Sequence, residues 1–187
     1  MESAEMERGI EENKLFPYLD TFPKLGKNVF LASGVKVIGN VEIGDNSNVW
    51  YNSVIRGDVH YIKIGTGTNV QDLSMLHVTN GKFPLNIGDN VTIGHSVTLH
   101  GCTLQNLCLI GMGVVVLDGA TVEENSMVAA GSVVKQNFIV PSGKLVAGVP
   151  AKVIRDLTKD EIDDFKRSAE RYIKYTQITL QSLQNNS

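Results

Sequence analysis

The stretch Ile87-Gly-Asp-Asn-Val-Thr-Ile-Gly-His-Ser-Val-Thr-Leu-His-Gly101 carries an aliphatic residue at every sixth position: Ile87, Ile93 and Leu99. Four places after the first two stands a β-branched residue, Val91 or Val97, and glycine follows each isoleucine. Neither the helical spacing of 3.6 nor the strand alternation of 2 produces this pattern. It extends in both directions. Upstream lie Leu31, Val37, Ile43, Val49 and Ile55, then, after a slip of three, Ile64, Val70 and Leu76. A second slip spans Thr79–Asn86. Downstream, one residue short of register, come Ile110, Val116, Val122, Val128 and Val134.

A six-residue period with a small or β-branched residue four places on marks short flat strands separated by turns, each coil burying the face of the next. The spacing predicts an all-β solenoid, a left-handed parallel β-helix of hexapeptide repeats with a C-terminal α-helix. Residues 1–15 read as an N-terminal arm, 16–156 as the β-helix and 157–187 as the helix packed on it. Lys144–Arg155 closes the prism. Thr158 with Glu161 three residues later is a capping box. Ile162, Phe165, Ala169, Tyr172, Ile173, Thr176, Leu180 and Leu183 form a stripe at helical spacing, and Gln184 onward is expected to fray.

The 187 residues suit one domain. A net charge of −3, with no basic run, argues against a non-specific nucleic-acid or membrane-surface binder. No apolar run approaches a membrane span. The two cysteines, Cys102 and Cys108, cannot make a secreted disulfide framework and read as small buried hydrophobes. The expected setting is cytoplasmic.

Three of the four histidines, His77, His95 and His100, fall in this repeat with Arg56, Asp58, Gln71 and Asp72. Ile55, Leu76 and Leu99 occupy equivalent positions of successive coils. Arg56, His77 and His100, each one residue later, therefore point outward in one column, about 4.8 Å apart per coil. His95 lies around a corner and does not reach that column easily; a neighbouring subunit in a closed three-fold ring could supply it. Three neutral imidazoles plus an open water position make a catalytic zinc set. Such an ion lowers the pKa of bound water from 15.7 to about 7. His60, at the three-residue slip, reads as a solvated corner.

From about Pro23 to Tyr175 the chain resembles the γ-class carbonic anhydrases and their hexapeptide-repeat relatives. The residues that carry the likeness are Trp50-Tyr-Asn-Ser-Val-Ile-Arg-Gly-Asp58, Ile64-Gly-x-Gly-Thr-Asn-Val-Gln-Asp72, Leu76-His77, Ile93-Gly-His-Ser-Val-Thr-Leu-His-Gly-Cys102 and Leu109-Ile-Gly-Met-Gly113. The resemblance implies a homotrimer that hydrates CO₂ to bicarbonate. It implies that His77 and His100 of one chain and His95 of its neighbour hold Zn²⁺, with Fe²⁺ or Co²⁺ equally suited to three imidazoles. It further implies that Gln71 contacts the metal-bound water and that Arg56 and Asp58 form an intersubunit ion pair. Asp72 would orient a ligand or the arginine. Tyr172 matches a helix tyrosine found near the site in relatives. Where well-characterised members have a glutamate after the Arg-x-Asp motif and an acidic loop after the first histidine, this chain has Val59 and Thr79–Pro84, without a carboxylate. Bland readings stand beside these: Arg56–Asp58 as an interface salt bridge, and Gln71 and Asp72 as caps on ladder ends. Two other functions fit the repeat, a hexapeptide acyltransferase using one histidine as general base and a structural trimer stapled by metal.

Overall fold

The computed structural model describes residues 14–185. Short parallel strands wind into a left-handed β-helix of about seven turns, followed by one C-terminal helix. Parallel pairing stacks each repeat's aliphatic residue on its counterpart one coil away. Leu31, Val49, Val70, Ile93, Ile110, Val128 and Val146 are successive register partners down one face. Val37, Ile55, Leu76, Leu99, Val116 and Val134 run down the second. Ile43, Ile64, Ile87, Leu104, Val122 and Val140 run down the third. Apart from Leu31, at the first rung, every one of these side chains is buried. Burial of one such side chain contributes about 1.5–3 kcal/mol, so the prism interior supplies most of the driving force.

The slips in the period have local causes. The strands Lys36–Ile43 and Val54–Ile64 run from the second face to the third without a break, and the three extra residues after Ile55 are absorbed where their register shifts between Gly39 and Val41. The insertion after His77 begins as a loop closed by the Thr79–Phe83 bridge, and the chain rejoins the third face in the strand Leu85–Ile87. The residue short before Ile110 has a different explanation from a skipped rung. Leu104, which the six-residue count passes over, comes five residues after Leu99 and fills the third face.

One corner of each coil needs a left-handed residue. Asn28, Asn46, Gly67, Asn90, Leu107, Asn125 and Gly143 occupy it, with φ between 54° and 69°. Asparagine and glycine tolerate that conformation; leucine does so at a steric cost.

The antiparallel hairpin of Lys144–Gly148 and Ala151–Asp156 closes the last coil. The helix Lys159–Gln184 starts at the expected capping box of Thr158 and Glu161. It runs back along the first-named face. Ser168 accepts a hydrogen bond from Thr92 Oγ1 (3.1 Å), Tyr172 meets Trp50 edge-on with centroids 5.7 Å apart, and Leu180 and Leu183 border the first coil near Phe30. Phe165, Ser168, Ala169 and Thr176 are buried there. The stripe predicted from the sequence thins out toward its end: Leu180 and Leu183 are about half exposed, because a groove of about 620 Å³ separates the last turns from Val29–Ser33. Of the expected N-terminal arm, residues 1–13 lie outside the described residues, while Leu15 already pairs with Val37. Residues 186–187 also lie outside them. Among the described residues no helix is long and apolar enough to cross a membrane.

Candidate metal centre

His77 and His100 are register partners on adjacent coils, their ring centroids 5.1 Å apart. Nδ1 of His77 stands 3.1 Å from Nε2 of His100. The outer nitrogens are both engaged: His77 Nε2 with Asp58 Oδ1 at 3.0 Å, and His100 Nδ1 with Asp118 Oδ1 at 2.7 Å. An ionised carboxylate only accepts, so each outer nitrogen carries a hydrogen and donates it. In neutral rings the two inner nitrogens then present lone pairs to each other. Opposed lone pairs at this distance call for a proton or a cation between them. A tetrahedral zinc with Zn–N bonds of 2.0–2.1 Å sets its nitrogens about 3.3 Å apart, so the pair fits two sites of such an ion.

Asp58 is the hinge of this half. Its Oδ2 pairs with Arg56 Nη1, and its Oδ1 also accepts the Val59 amide at 2.9 Å. Burial alone would raise its pKa, but hydrogen bonds from His77 and Arg56 outweigh burial and hold the carboxyl below its ordinary value. Arg56 and Asp58 thus pair within the chain.

The other candidate residues gather elsewhere. His95 follows the strand Thr92–Ile93 at a corner, and its Nδ1 lies 2.7 Å from Asp72 Oδ2. Gln71 is buried, and its Nε2 donates to Asn69 Oδ1 at 3.2 Å. Asn69 has no freedom to flip, because its Nδ2 already donates to Thr92 Oγ1 (2.9 Å) and to the Val91 carbonyl. Gln71 therefore keeps Oε1 as its outward acceptor. Tyr172 lines a shallow cavity of about 340 Å³ with Trp50, Asp72, His95 and Tyr175. Burial, then the nearby Asp72 carboxylate, pushes its phenol pKa up.

The seven predicted site residues so divide into two groups: Arg56, Asp58, His77 and His100 on the second face, and Gln71, His95 and Tyr172 at the edge of the helix-covered face. Among the described residues no three His, Cys, Asp or Glu side chains converge on a point where one ion could sit. His60 joins neither group; its Nδ1 accepts the Tyr61 amide at 2.9 Å and its ring meets that of Tyr61 edge-on. Cys102 and Cys108 are buried free thiols, pushed by desolvation to about 12.

Sequence reasoning missed Asp118. The signal was there: Asp118 stands on the next rung, one position past the point opposite His100 because that coil is one residue short, so its carboxylate can reach down to the ring. Asp58 and Asp72 likewise each lie on the rung next to the histidine they touch. Each of the three histidines thus has its own aspartate.

Comparison with known proteins agrees with the repeat. Residues 22–57 match the family described as bacterial transferase hexapeptide (six repeats), and residues 84–118 and 108–136 match the hexapeptide repeat of succinyl-transferase. The chain is 48% identical over 169 residues to a protein of Arabidopsis thaliana named gamma carbonic anhydrase 2, mitochondrial; the match covers 88% of this chain but 61% of that protein. It is 40% identical to the carbonic anhydrase of Geobacillus kaustophilus, covering 86% of this chain and 87% of the relative. A crystal structure of a hexapeptide transferase family protein from Anaplasma phagocytophilum superposes with a TM-score of 0.83 at 46% identity, covering 88% of this chain and 96% of that one.

Proposed function

Because the chain belongs to the γ-carbonic anhydrase family of hexapeptide-repeat proteins, we propose that it catalyses the reversible hydration of CO₂ to bicarbonate at a divalent-metal site completed between copies of the chain. One observation carries this reading: the facing nitrogens of His77 and His100, 3.1 Å apart, whose outer nitrogens are both held by carboxylates. That arrangement presents two preset lone pairs to a cation.

In this reading His77 and His100 of one chain and His95 of the next hold Zn²⁺, with Fe²⁺ or Co²⁺ as alternatives the same donors accept. The ion supplies Lewis acidity, enough to bring the pKa of a water near 7 when the ligands are neutral imidazoles. Everything else falls to the protein. Asp58 and Asp72 keep the rings of His77 and His95 in the tautomer that leaves a donor nitrogen free. Arg56 balances the Asp58 charge. Gln71, its amide held by Asn69, offers Oε1 to accept the hydrogen of the reacting oxygen. Tyr172 walls the His95 side with Trp50, an apolar surface suited to CO₂. A ring of three copies brings each His77/His100 face against a His95 corner and closes without free ends. The setting we assign is cytoplasmic, consistent with two free thiols.

The test is elemental analysis together with stopped-flow CO₂ hydration on anaerobically prepared protein. Metal near one per chain with turnover supports the reading; metal-free protein, or loaded protein without turnover at any buffer concentration, overturns it. A second reading is favoured by the likeness to the Anaplasma phagocytophilum protein: transfer of an acyl group from a CoA thioester. Release of free CoA from acetyl-CoA in the presence of an amine or sugar acceptor would support that instead.

A further inference from the structure

We propose that Asp118 is a positioning residue of the metal site, one that sets the tautomer of His100 and is itself held by Thr79; this rests on the metal-binding reading above. The geometry is a three-residue relay from three parts of the chain. Asp118 Oδ1 receives the His100 Nδ1 hydrogen at 2.7 Å, and Asp118 Oδ2 receives the Thr79 hydroxyl at 3.0 Å. With both oxygens accepting, the carboxylate cannot rotate away from the ring without losing two hydrogen bonds. His100 is thereby kept with its hydrogen on Nδ1 and its lone pair on Nε2, the nitrogen that faces His77. A neutral histidine in water favours hydrogen on Nε2, so an unsupported His100 would spend much of its time with a hydrogen, not a lone pair, on the nitrogen that faces His77.

Room for the relay comes from the backbone. Gly101 lies one coil below Asp118, in the left-handed conformation (φ 54°). A Cβ there would come within 2.4 Å of Asp118 Oδ1 and 2.7 Å of Phe83 Cβ. The glycine lets the carboxylate descend to His100 and lets Phe83 pack alongside. The insertion after His77 therefore takes part in the relay. Its ends are tied by the Thr79 amide donating to the Phe83 carbonyl at 3.0 Å, which fixes Thr79 under Asp118. The loop carries no carboxylate of its own; it steadies one from the next coil.

The experiment compares zinc affinity, by competition with a chelator, in the full-length protein and in Asp118→Ala, Asp118→Asn, Thr79→Val and His100→Ala. We expect Asp118→Ala to weaken Zn²⁺ binding roughly 10–100-fold, the usual loss when a histidine ligand loses its outer carboxylate. Asp118→Asn, close in shape, should lose less, about tenfold or under, and Thr79→Val less again. The second readout involves no turnover: ¹⁵N chemical shifts of the His100 ring in zinc-free protein should report hydrogen on Nδ1 in the parent and a shift toward Nε2–H in Asp118→Ala. The absorption of the Co²⁺-loaded protein should change in the same variant. Should Asp118→Ala not fold, judged by circular dichroism, Asp118→Asn and Thr79→Val carry the same measurements. If folded Asp118 variants keep zinc affinity within twofold and leave the His100 tautomer unchanged, the proposal is wrong. If His100→Ala also keeps its zinc, the metal reading itself fails; if His100→Ala loses zinc and the Asp118 variants do not, only the role of Asp118 falls.

Discussion

His95 Nδ1 donates to Asp72 Oδ2, 2.7 Å away, at a corner of the prism that the His77/His100 pair does not share. The bond leaves Nε2 as the free nitrogen of a half-exposed ring. From this arrangement comes the first prediction. The 20.4 kDa chain should sediment as a trimer when metal is bound. A stable, metal-loaded monomer would rule out a shared site.

The two histidine groups also differ from His60, which spends its Nδ1 on the Tyr61 amide. His95→Ala and His100→Ala should each reduce bound metal to about a tenth of the parent value or less, since metal binding depends on every ligand being in place. His60→Ala should leave metal content unchanged. Elemental analysis of the three purified variants decides it, and the reverse ranking would break the column argument.

Hydration of CO₂ releases a proton that has to leave the site. Val59, next to Asp58, has no acid–base group, and the Thr79–Phe83 loop adds no carboxylate. Turnover should therefore rise with the concentration of an imidazole-type buffer at fixed pH and ionic strength. Val59→Glu should raise turnover in dilute buffer and flatten that dependence, by as much as about 10²–10⁴-fold where proton transfer limits. High turnover that ignores buffer in the parent protein would point to another acceptor, with Tyr172 the first to replace by phenylalanine.

Cys102 and Cys108 are buried, their thiols pushed from 9.0 up to about 12. A raised pKa of this kind means the folded state favours the neutral thiol. The stability it contributes is fully present below pH 9 and is lost as pH climbs toward 12. At pH 8 the native protein should be almost inert to a thiol-reactive disulfide reagent, and the unfolded protein should titrate two thiols. Rapid native reaction of either cysteine would contradict the packing.

Leu107 holds the corner conformation (φ 54°) that Asn90 and Asn125 hold on the neighbouring coils. An L-residue with a bulky side chain is strained there, whereas asparagine is not. Leu107→Asn should therefore stabilise the protein by about 0.5–1 kcal/mol, net of the burial it gives up. Thermal unfolding that shows a lower midpoint for this variant would mean that the leucine's packing outweighs its backbone strain.

The coil and the histidine column were legible in the sequence because a hexapeptide solenoid is close to one-dimensional. Each rung contacts only its neighbours, so counting residues is nearly the same as locating them, and Leu76 and Leu99 lead directly to the partnership of His77 with His100. Even the extra residues after Ile55 announced themselves as a break in the count. What counting aliphatic positions did not supply was the polar wiring between coils. Asp118 stood on the rung next to His100 in plain view, yet nothing in the aliphatic period marks an aspartate that reaches down a rung; that required the space left by Gly101 and the anchor at Thr79. The orientation of Gln71 was likewise invisible, because it is set by a chain of hydrogen bonds from the Val91 carbonyl through Asn69. The sequence by itself determined the fold, the face on which each histidine stands and the separation of His95 from the other two. Only the tertiary structure decided which nitrogen of each ring is free, since a tautomer depends on the partner that approaches the other nitrogen, and those partners come from neighbouring coils and loops at distances no repeat length encodes.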